Sequence, residues 1–476
     1  MSKLYVFGIG GTGSRVLRAL TMLLASGVKC EAQTIVPIII DPDQSAADLT
    51  RTVNLMKAYS RVRSKLDFSE GTENQFFKTE LYEQVNGYRL PLNSDTTSKK
   101  FKDYIQLGNM ATENQALIRM LFSEQNLESD MQVGFKGNPN IGSVVLNQFQ
   151  DSDEFQQFAN GFQQDDKIFI ISSIFGGTGA SGFPLLLKTL RTDTHMPNNG
   201  LINNAVIGAI SVLPYFSVQP NNNSAIDSTT FISKTKSALS YYERNISKNN
   251  AIDYLYYVAD DINRPYDNNE GGSYQCNDAH LVELWAALSI IDFAKNAQHQ
   301  KQTQHKEFGT DDAQEPMTFA DLGNDTKQLI SAPLTQMTLF ANFMKEHCDE
   351  SCEKQPWAKD HGLKSEFIHS DFVRKDLHCV QNEGKIGLIG WLDEMAGNVR
   401  AFAPFDWSND DPLKRVRGKE IKYGLLQGKK SQGYAYFDGM LNEVSLKLPD
   451  QRTKEQRLVE IFYRATKKMI DEKYKF

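Results

Sequence analysis

Phe175-Gly176-Gly177-Thr178-Gly179-Ala180-Ser181-Gly182 follows the apolar run Ile168 to Ile174 and precedes a helical stretch that begins near Phe183. A short apolar run bounded by glycines reads as a buried strand. Strand, glycine loop and helix in succession offer a specific physical opportunity. A helix N-terminus presents free backbone N–H groups and roughly half a positive charge, both suited to a phosphate. Glycines let that backbone approach closely, because no Cβ intervenes. The plain alternative is a tight turn that lets helix and sheet pack closely.

A second loop of the same kind opens the chain. Leu4-Tyr5-Val6-Phe7 reads as a strand, Gly8-Ile9-Gly10-Gly11-Thr12-Gly13 as the loop, and Val16, Leu17, Leu20, Leu23 and Leu24 recur at helical spacing. Taken alone, G-x-G-x-x-G between strand and helix is the dinucleotide-binding fingerprint, with Asp41 at the end of the next strand placed to meet a ribose. A Rossmann domain needs one such loop and this chain has two. Two glycine loops at strand ends can grip one polyphosphate from both sides.

Further strands are expected at Ile35 to Ile40, Ala205 to Leu213 and Tyr254 to Val258, with helical character over 225–247 and a long apolar helix from Ala279 to Ala297. Strands alternating with helices imply an α/β fold with a parallel sheet covered on both faces. Residues 45–130 are polar and mostly helical in pattern. Residues 298–316 are polar and turn-rich, as in a linker.

The chain has 476 residues, 40% hydrophobic and 23% charged, with a net charge of −7. That fits a globular protein of two or three domains and argues against a general nucleic-acid binder. Five unevenly spaced cysteines do not make a disulfide framework, so a reducing cytoplasm is expected. No secretory leader or membrane-spanning stretch is evident.

The loops together resemble the tubulin/FtsZ superfamily. Gly176 to Gly182 is similar to its signature GGGTGSG, with Phe175 in place of the leading glycine. Asp41-Pro42-Asp43-Gln44 resembles N-T-D-A-Q. Gly134-Phe135-Lys136-Gly137-Asn138-Pro139-Asn140-Ile141-Gly142 resembles the loop G-A-G-A-N-P-E-V-G, which senses the γ-phosphate in the family. Val212-Leu213-Pro214-Tyr215-Phe216 resembles the segment leading to the ribose, and Tyr256 to Asp261 the strand before the central helix. All six occur in the family's order.

The resemblance implies a tubulin/FtsZ-like, Rossmann-type parallel-sheet GTPase domain over 1–300, with an insertion at about 45–130 and a central helix at about 279–297. A linker at 301–316 and a smaller, divergent α+β C-terminal domain over 317–476 would follow. It implies GTP or GDP with Mg2+, held by Gly10, Gly11, Thr12, Gly13, Asp41, Asp43, Gln44, Gly137, Asn138, Gly142, Gly176, Gly177, Thr178, Gly179, Ala180, Ser181 and Pro214. On the central helix, Trp285 and Ser289 fall where the family contacts the base, although Trp285 also reads as core. Asn277 or Asp278 reads as a helix cap.

In the family, an acid from the next subunit completes hydrolysis in a head-to-tail filament. Its pattern N-x-D-F-A-D stands here as Pro316-Met317-Thr318-Phe319-Ala320-Asp321, which makes Asp321 the candidate acid, with Asp312 and Asp325 as neighbours. The arginine and glutamate expected near the ribose are missing around 216–224. These departures exclude a standard cell-division FtsZ and point to divergent relatives in membrane remodelling or conflict systems. A non-hydrolysing nucleotide-binding scaffold and a Rossmann dinucleotide or adenylating enzyme remain open.

Two other constellations stand out. His347, Cys348, Cys352, His361, His369, His378 and Cys379 crowd one region, without a second clean ligand pair for zinc. Lys414 to Lys430 is basic, and the final helix sets Leu458, Ile461, Phe462, Ala465 and Met469 on one face of a segment with eight basic and four acidic side chains over 452–476. That helix either packs on its own domain or meets a protein partner or an anionic membrane.

Overall fold

The computed structural model describes residues 2–92, 96, 98–131, 135, 137–219, 228–261, 265–266, 272–273, 276–309, 316–417, 433–448, 452–474 and 476. Gly134, Lys136, Asp312 and the basic stretch 418–430 lie outside the described residues.

The strands are β1 (Lys3–Ile9), β2 (Thr34–Ile40), β3 (Glu80–Leu81), β4 (Arg89–Leu90), β5 (Lys167–Ser173), β6 (Val206–Val212), β7 (Ser217–Val218), β8 (Tyr254–Val258), β9 (Pro265–Tyr266) and β10 (Gln304–Glu307). Eight of them form one parallel sheet in the order β10-β8-β6-β5-β1-β2-β3, with β4 also on β2; β7 and β9 pair separately. β1, β2, β5 and β6 are buried along nearly their whole length. Burial on both faces explains why they read as continuous apolar runs rather than alternating ones.

The helices that matter here are α1 (Gly10–Ala25), α2 (Ala47–Arg63), α3 (Pro139–Val145), α4 (Gly177–Thr192), α5 (Phe231–Tyr242), α6 (Leu281–Asn296), α7 (Asn324–Glu346), α8 (Leu388–Gly397) and α9 (Lys454–Met469). α6 packs against α1 and the strands, and almost every residue from Leu281 to Phe293 is buried. The architecture is an α/β parallel sheet with helices around it and a helical part after residue 317.

Several expectations change. α4 begins at Gly177, not near Phe183, so the glycine loop is itself the first turn. Glycine is a poor helix former, which hid this start. The expected linker carries β10, which pairs in parallel with β8 and is therefore an edge strand of the sheet. Its mostly exposed, polar residues made it look like a loop. The region after 317, expected to mix helices and strands, is helical among the described residues, with isolated bridges at Met317–Phe402 and Phe405–Val416. Among the described residues of the insertion, only α2 is a long helix; the other elements are shorter helices and two-residue strands.

The final helix α9 turns its apolar face into the core: Leu458, Ile461, Phe462, Ala465 and Met469 are buried, and Phe462 stacks on Phe340 of α7 at 4.2 Å. That face is occupied internally. No helix of the described residues is long and apolar enough to cross a membrane.

The turn from β1 into α1 depends on backbone meeting backbone. A Cβ placed at Gly13 would sit 2.4 Å from the Gly8 carbonyl carbon. No flexible side chain can yield there, so Gly13→Ala should cost roughly 1–3 kcal/mol of stability or more. Urea unfolding should show a clearly lower midpoint, and an unchanged midpoint would contradict this packing.

Candidate functional site

β1 and β5 are neighbours, yet β2 lies on the far side of β1 and β6 on the far side of β5. The connections thus diverge between β1 and β5, and in open parallel sheets ligands bind outside the carboxyl ends of the strands at such a point. Both glycine loops sit there. Gly10, in a left-handed conformation at φ +69°, has Thr178 as its nearest neighbour; an added Cβ would be 3.3 Å from the Thr178 Cβ. The first turns of α1 and α4 therefore face each other across the switch point.

The third loop closes on the second. A Cβ at Gly177 would meet the backbone nitrogens of Gly137 and Asn138 and the Phe135 Cβ, each at 3.1 Å. Asn138 caps α3, its Oδ1 accepting from Asn140 N at 3.1 Å and Ile141 N at 3.4 Å. Gly142 lets α3 lie against α4, since a Cβ there would be 2.2 Å from the Ser181 Oγ. Three segments far apart in sequence thus bring helix N-termini and glycine backbone to one place.

The glycines divide by role. Gly13 packs on Gly8, and Gly179 packs on β5, where a Cβ would fall 2.6 Å from the Ser173 carbonyl oxygen. These serve helix–sheet packing. Among the described residues, Gly11 has only the Arg15 guanidinium near its absent side chain, at 3.6 Å, and Gly176 only the Ser173 Oγ, at 2.8 Å. Gly11, Gly176, Thr178 and Ala180 are partly exposed where the two helix N-termini meet, whereas Gly10, Thr12 and Gly177 are buried. Ser181 is buried, and its hydroxyl donates to Gly177 O at 2.7 Å within its own helix. Phe175, in place of a glycine, joins an aromatic cluster with Phe231 at 4.9 Å and Phe216 at 5.6 Å.

Ile9 pairs with Ile40, so Asp41 emerges beside Gly10. Asp41 and Asp43 are both buried. Asp43 N–H donates to Asp41 Oδ1 at 3.0 Å, Gln44 Nε2 donates to Asp41 O at 2.6 Å, and Gly272 N–H donates to Asp43 Oδ2 at 2.6 Å. Burial pushes the Asp41 carboxyl up to about 7, against the opposing pull of the Asp43 N–H.

The central helix departs from expectation at its start. His280 is its cap: Val282 N–H donates to His280 Nδ1 at 3.1 Å, and Glu283 returns a contact to His280 N. Burial drives His280 down to about 4, so its imidazole is neutral and can accept. Asn277 instead donates to Asp48 Oδ2 at 2.8 Å, and Asp278 pairs with Lys385 at 2.7 Å. Trp285 is 4% exposed and Ser289 is fully buried, its hydroxyl spent on Ala286 O at 2.6 Å. Ser289 therefore presents no free hydroxyl to a base edge, and Trp285 sits in the core. The side chain beside the cradle is Arg15, which bonds Glu283 Oε1 at 2.6 Å, Tyr215 OH at 2.7 Å and Asp48 Oδ2 at 3.3 Å. Pro214, just before Tyr215, is buried.

Lys234 of α5 was not legible as a site residue. Its ammonium donates to Gly137 O at 3.0 Å, which sets a cation at the rim of the third loop. In sequence it is one lysine on a helix with no motif around it. Asp321 is partly buried and closes a local cap: Thr318 N–H donates to Asp321 Oδ2 at 2.6 Å and the Thr318 hydroxyl does so at 2.9 Å. Asp325, in the first turn of α7, is exposed. In the histidine- and cysteine-rich region, His347 pairs with Asp438 at 2.9 Å while Cys348 and Cys352 are buried. The described residues hold no group of three ligands fit for a metal ion.

No family model matches the sequence, and no curated protein matches it. Among solved structures, CetZ2 from Haloferax volcanii, a GTPγS-bound protofilament, is similar over 62% of this chain and 59% of that one, at 14% identity and a TM-score of 0.29. CetZ from Methanosaeta thermophila is similar over 54% of this chain and 46% of that one, at 18% identity and a TM-score of 0.24. The chain thus aligns with less than two thirds of either one's length.

Asp41 gives a pH test. Its folded value is raised above its ordinary one, so its contribution favours the folded state fully at low pH. That contribution is lost as pH rises from about 4 to about 7. Asp41→Asn keeps an oxygen to accept from Asp43 N–H but cannot ionise. Its melting temperature should exceed the wild type's by a margin that grows across that range and levels off above it. A margin independent of pH would show that Asp41 titrates normally.

Proposed function

We propose that this chain is a divergent tubulin/FtsZ-like protein that holds the phosphates of GTP on its three loops and assembles head to tail. The observation that carries the reading is the meeting of Gly10 with Thr178 and of Gly177 with Gly137 and Asn138 at one switch point. The three segments that resemble the family's phosphate loops are the three that come together. A Rossmann enzyme has no use for the second and third.

Each loop supplies what a polyphosphate needs. The first turns of α1 and α4 point their dipoles at it, and Lys234 adds a cation at the third loop. Mg2+ arrives with the nucleotide in this reading. Magnesium prefers a hard oxygen set of phosphates, waters and one or two carboxylates, and Asp41 and Asp43 beside the first loop are of that type. Guanine recognition would not rest on Ser289, whose hydroxyl is committed to its own helix.

Hydrolysis in this reading needs an acid from the next subunit, with Asp321 as the candidate. Its carboxylate is held by Thr318, which favours a second reading: a nucleotide-binding scaffold that assembles without turnover. Asp321→Asn separates the two, since an amide oxygen can still cap the short helix. In the hydrolysing form, wild-type phosphate release per subunit should rise with protein concentration. Asp321→Asn should slow it by about 10²-fold while sedimentable polymer persists longer. Assembly by the wild type with no phosphate release would establish the scaffold.

Binding is the prior question. Titration with labelled nucleotides should give a preference for GTP over ATP and NAD. Gly177→Ala should weaken binding strongly by displacing the third loop at Gly137 and Asn138, with little change in circular dichroism. Lys234→Ala should weaken it by about tenfold, the scale of one charge-assisted contact, and Lys234→Arg should recover part of that loss. A preference for NAD, or full affinity in folded Gly177→Ala, would sink the proposal.

A further inference from the structure

Arg15 lies one helical turn beyond the first glycine loop, its Nη1 3.6 Å from where a Gly11 Cβ would be. From there a chain of buried ion pairs runs away from the cradle. Arg15 binds Asp48 and Glu283, Asp48 binds Arg51 at 2.9 Å, Arg51 binds Glu394 at 2.9 Å, and Glu394 binds Arg18 at 2.8 Å. Glu394 belongs to α8, in the C-terminal half, and also accepts from Ala279 N at 3.0 Å, just ahead of the central helix. Three arginines face three carboxylates, and all six side chains are at most 8% exposed.

The balance is complete in charge but not in hydrogen bonds. Arg18 Nε and Arg51 Nε find no acceptor among the described residues. The guanidinium donors share the carboxylate oxygens with one another, and Arg18 and Arg51 also draw on the backbone carbonyls of Lys385 and Asn277, so the acceptors are under competition. A new anion near Arg15 would change that competition at every link, because in a low-dielectric interior each pair feels the others.

We propose that Arg15 is a positioning residue that couples phosphate occupancy of the first glycine loop to the seating of α8, through Asp48, Arg51 and Glu394. The proposal rests on the nucleotide reading above. A phosphate on the amides of residues 10–13 draws the Arg15 guanidinium toward it and loosens its hold on Asp48 and Glu283. Asp48 then binds Arg51 more fully, and Arg51 yields part of Glu394. The helix that carries Glu394 and the backbone at Ala279 respond, although neither touches the ligand. The coupling is reciprocal, so altering Glu394 must alter nucleotide affinity.

The test measures amide hydrogen exchange of full-length wild type with and without GTP and Mg2+, beside nucleotide titration of two variants. Glu394→Gln removes one carboxylate charge. Arg18→Met with Glu394→Gln keeps the remaining charges balanced, which guards against simple misfolding. Exchange in 277–283 and 388–397 should change on nucleotide binding in the wild type. Both variants should bind GTP with affinity altered roughly fivefold or more, and the exchange response of 388–397 should shrink. Wild-type binding with no exchange response at those segments, or folded variants with wild-type affinity, would overturn the coupling alone. Failure of the wild type to bind any nucleotide would overturn the nucleotide reading and the coupling with it.

Discussion

Where β1 turns into α1 and β5 into α4, polypeptide backbone lies directly on polypeptide backbone. Gly13 rests on Gly8, Gly179 rests on Ser173, and Gly177 faces the amides of Gly137 and Asn138. A single methyl group at Gly13 or Gly179 would separate elements that the rest of the molecule holds in register, and one at Gly177 would push the third loop aside. This contact sets the angle at which both helices leave the sheet. It also aims their N-termini at one another across the gap between β1 and β5. The third loop and Lys234 border that gap.

A second constraint acts on the far side of α1. The side chains of Arg15 and Arg18 leave a helix that is otherwise buried, and each needs a carboxylate out of reach of water. Breaking one partner of such a pair is strongly destabilising, because the other charge is left alone. Asp48, Glu283 and Glu394 meet the need from three different helices. The same bonds that keep α1 neutral thus tie the N-terminal sheet to the C-terminal helices, and the apolar core is continuous across both, from Leu4 to Tyr474.

What the sequence made legible was local. The apolar runs became β1, β2, β5, β6 and β8 with ends shifted by a residue or two, and the glycine loops lie where strands end. Such signals need only neighbouring residues. The start of α4 was missed because glycines argue against helix, and β10 because an exposed polar edge strand has no apolar run to mark it. His280 as a cap was missed because serine, threonine, aspartate and asparagine are the usual choices. The ion network was illegible in principle: Arg15 and Glu283 are 268 residues apart, and Arg18 and Glu394 are 376 apart. Trp285 and Ser289 were drawn toward a base by position alone, while their burial belongs to the packing of the central helix.

The most direct measurement is an experimental structure of the chain with GTPγS and Mg2+. One nucleotide should occupy the switch point between β1 and β5. Its phosphates should be hydrogen-bonded to backbone N–H groups of all three loops: residues 10–13, 137 and 176–180. A nucleotide whose phosphates touch only the first loop, or a ligand bound elsewhere on the molecule, would contradict it.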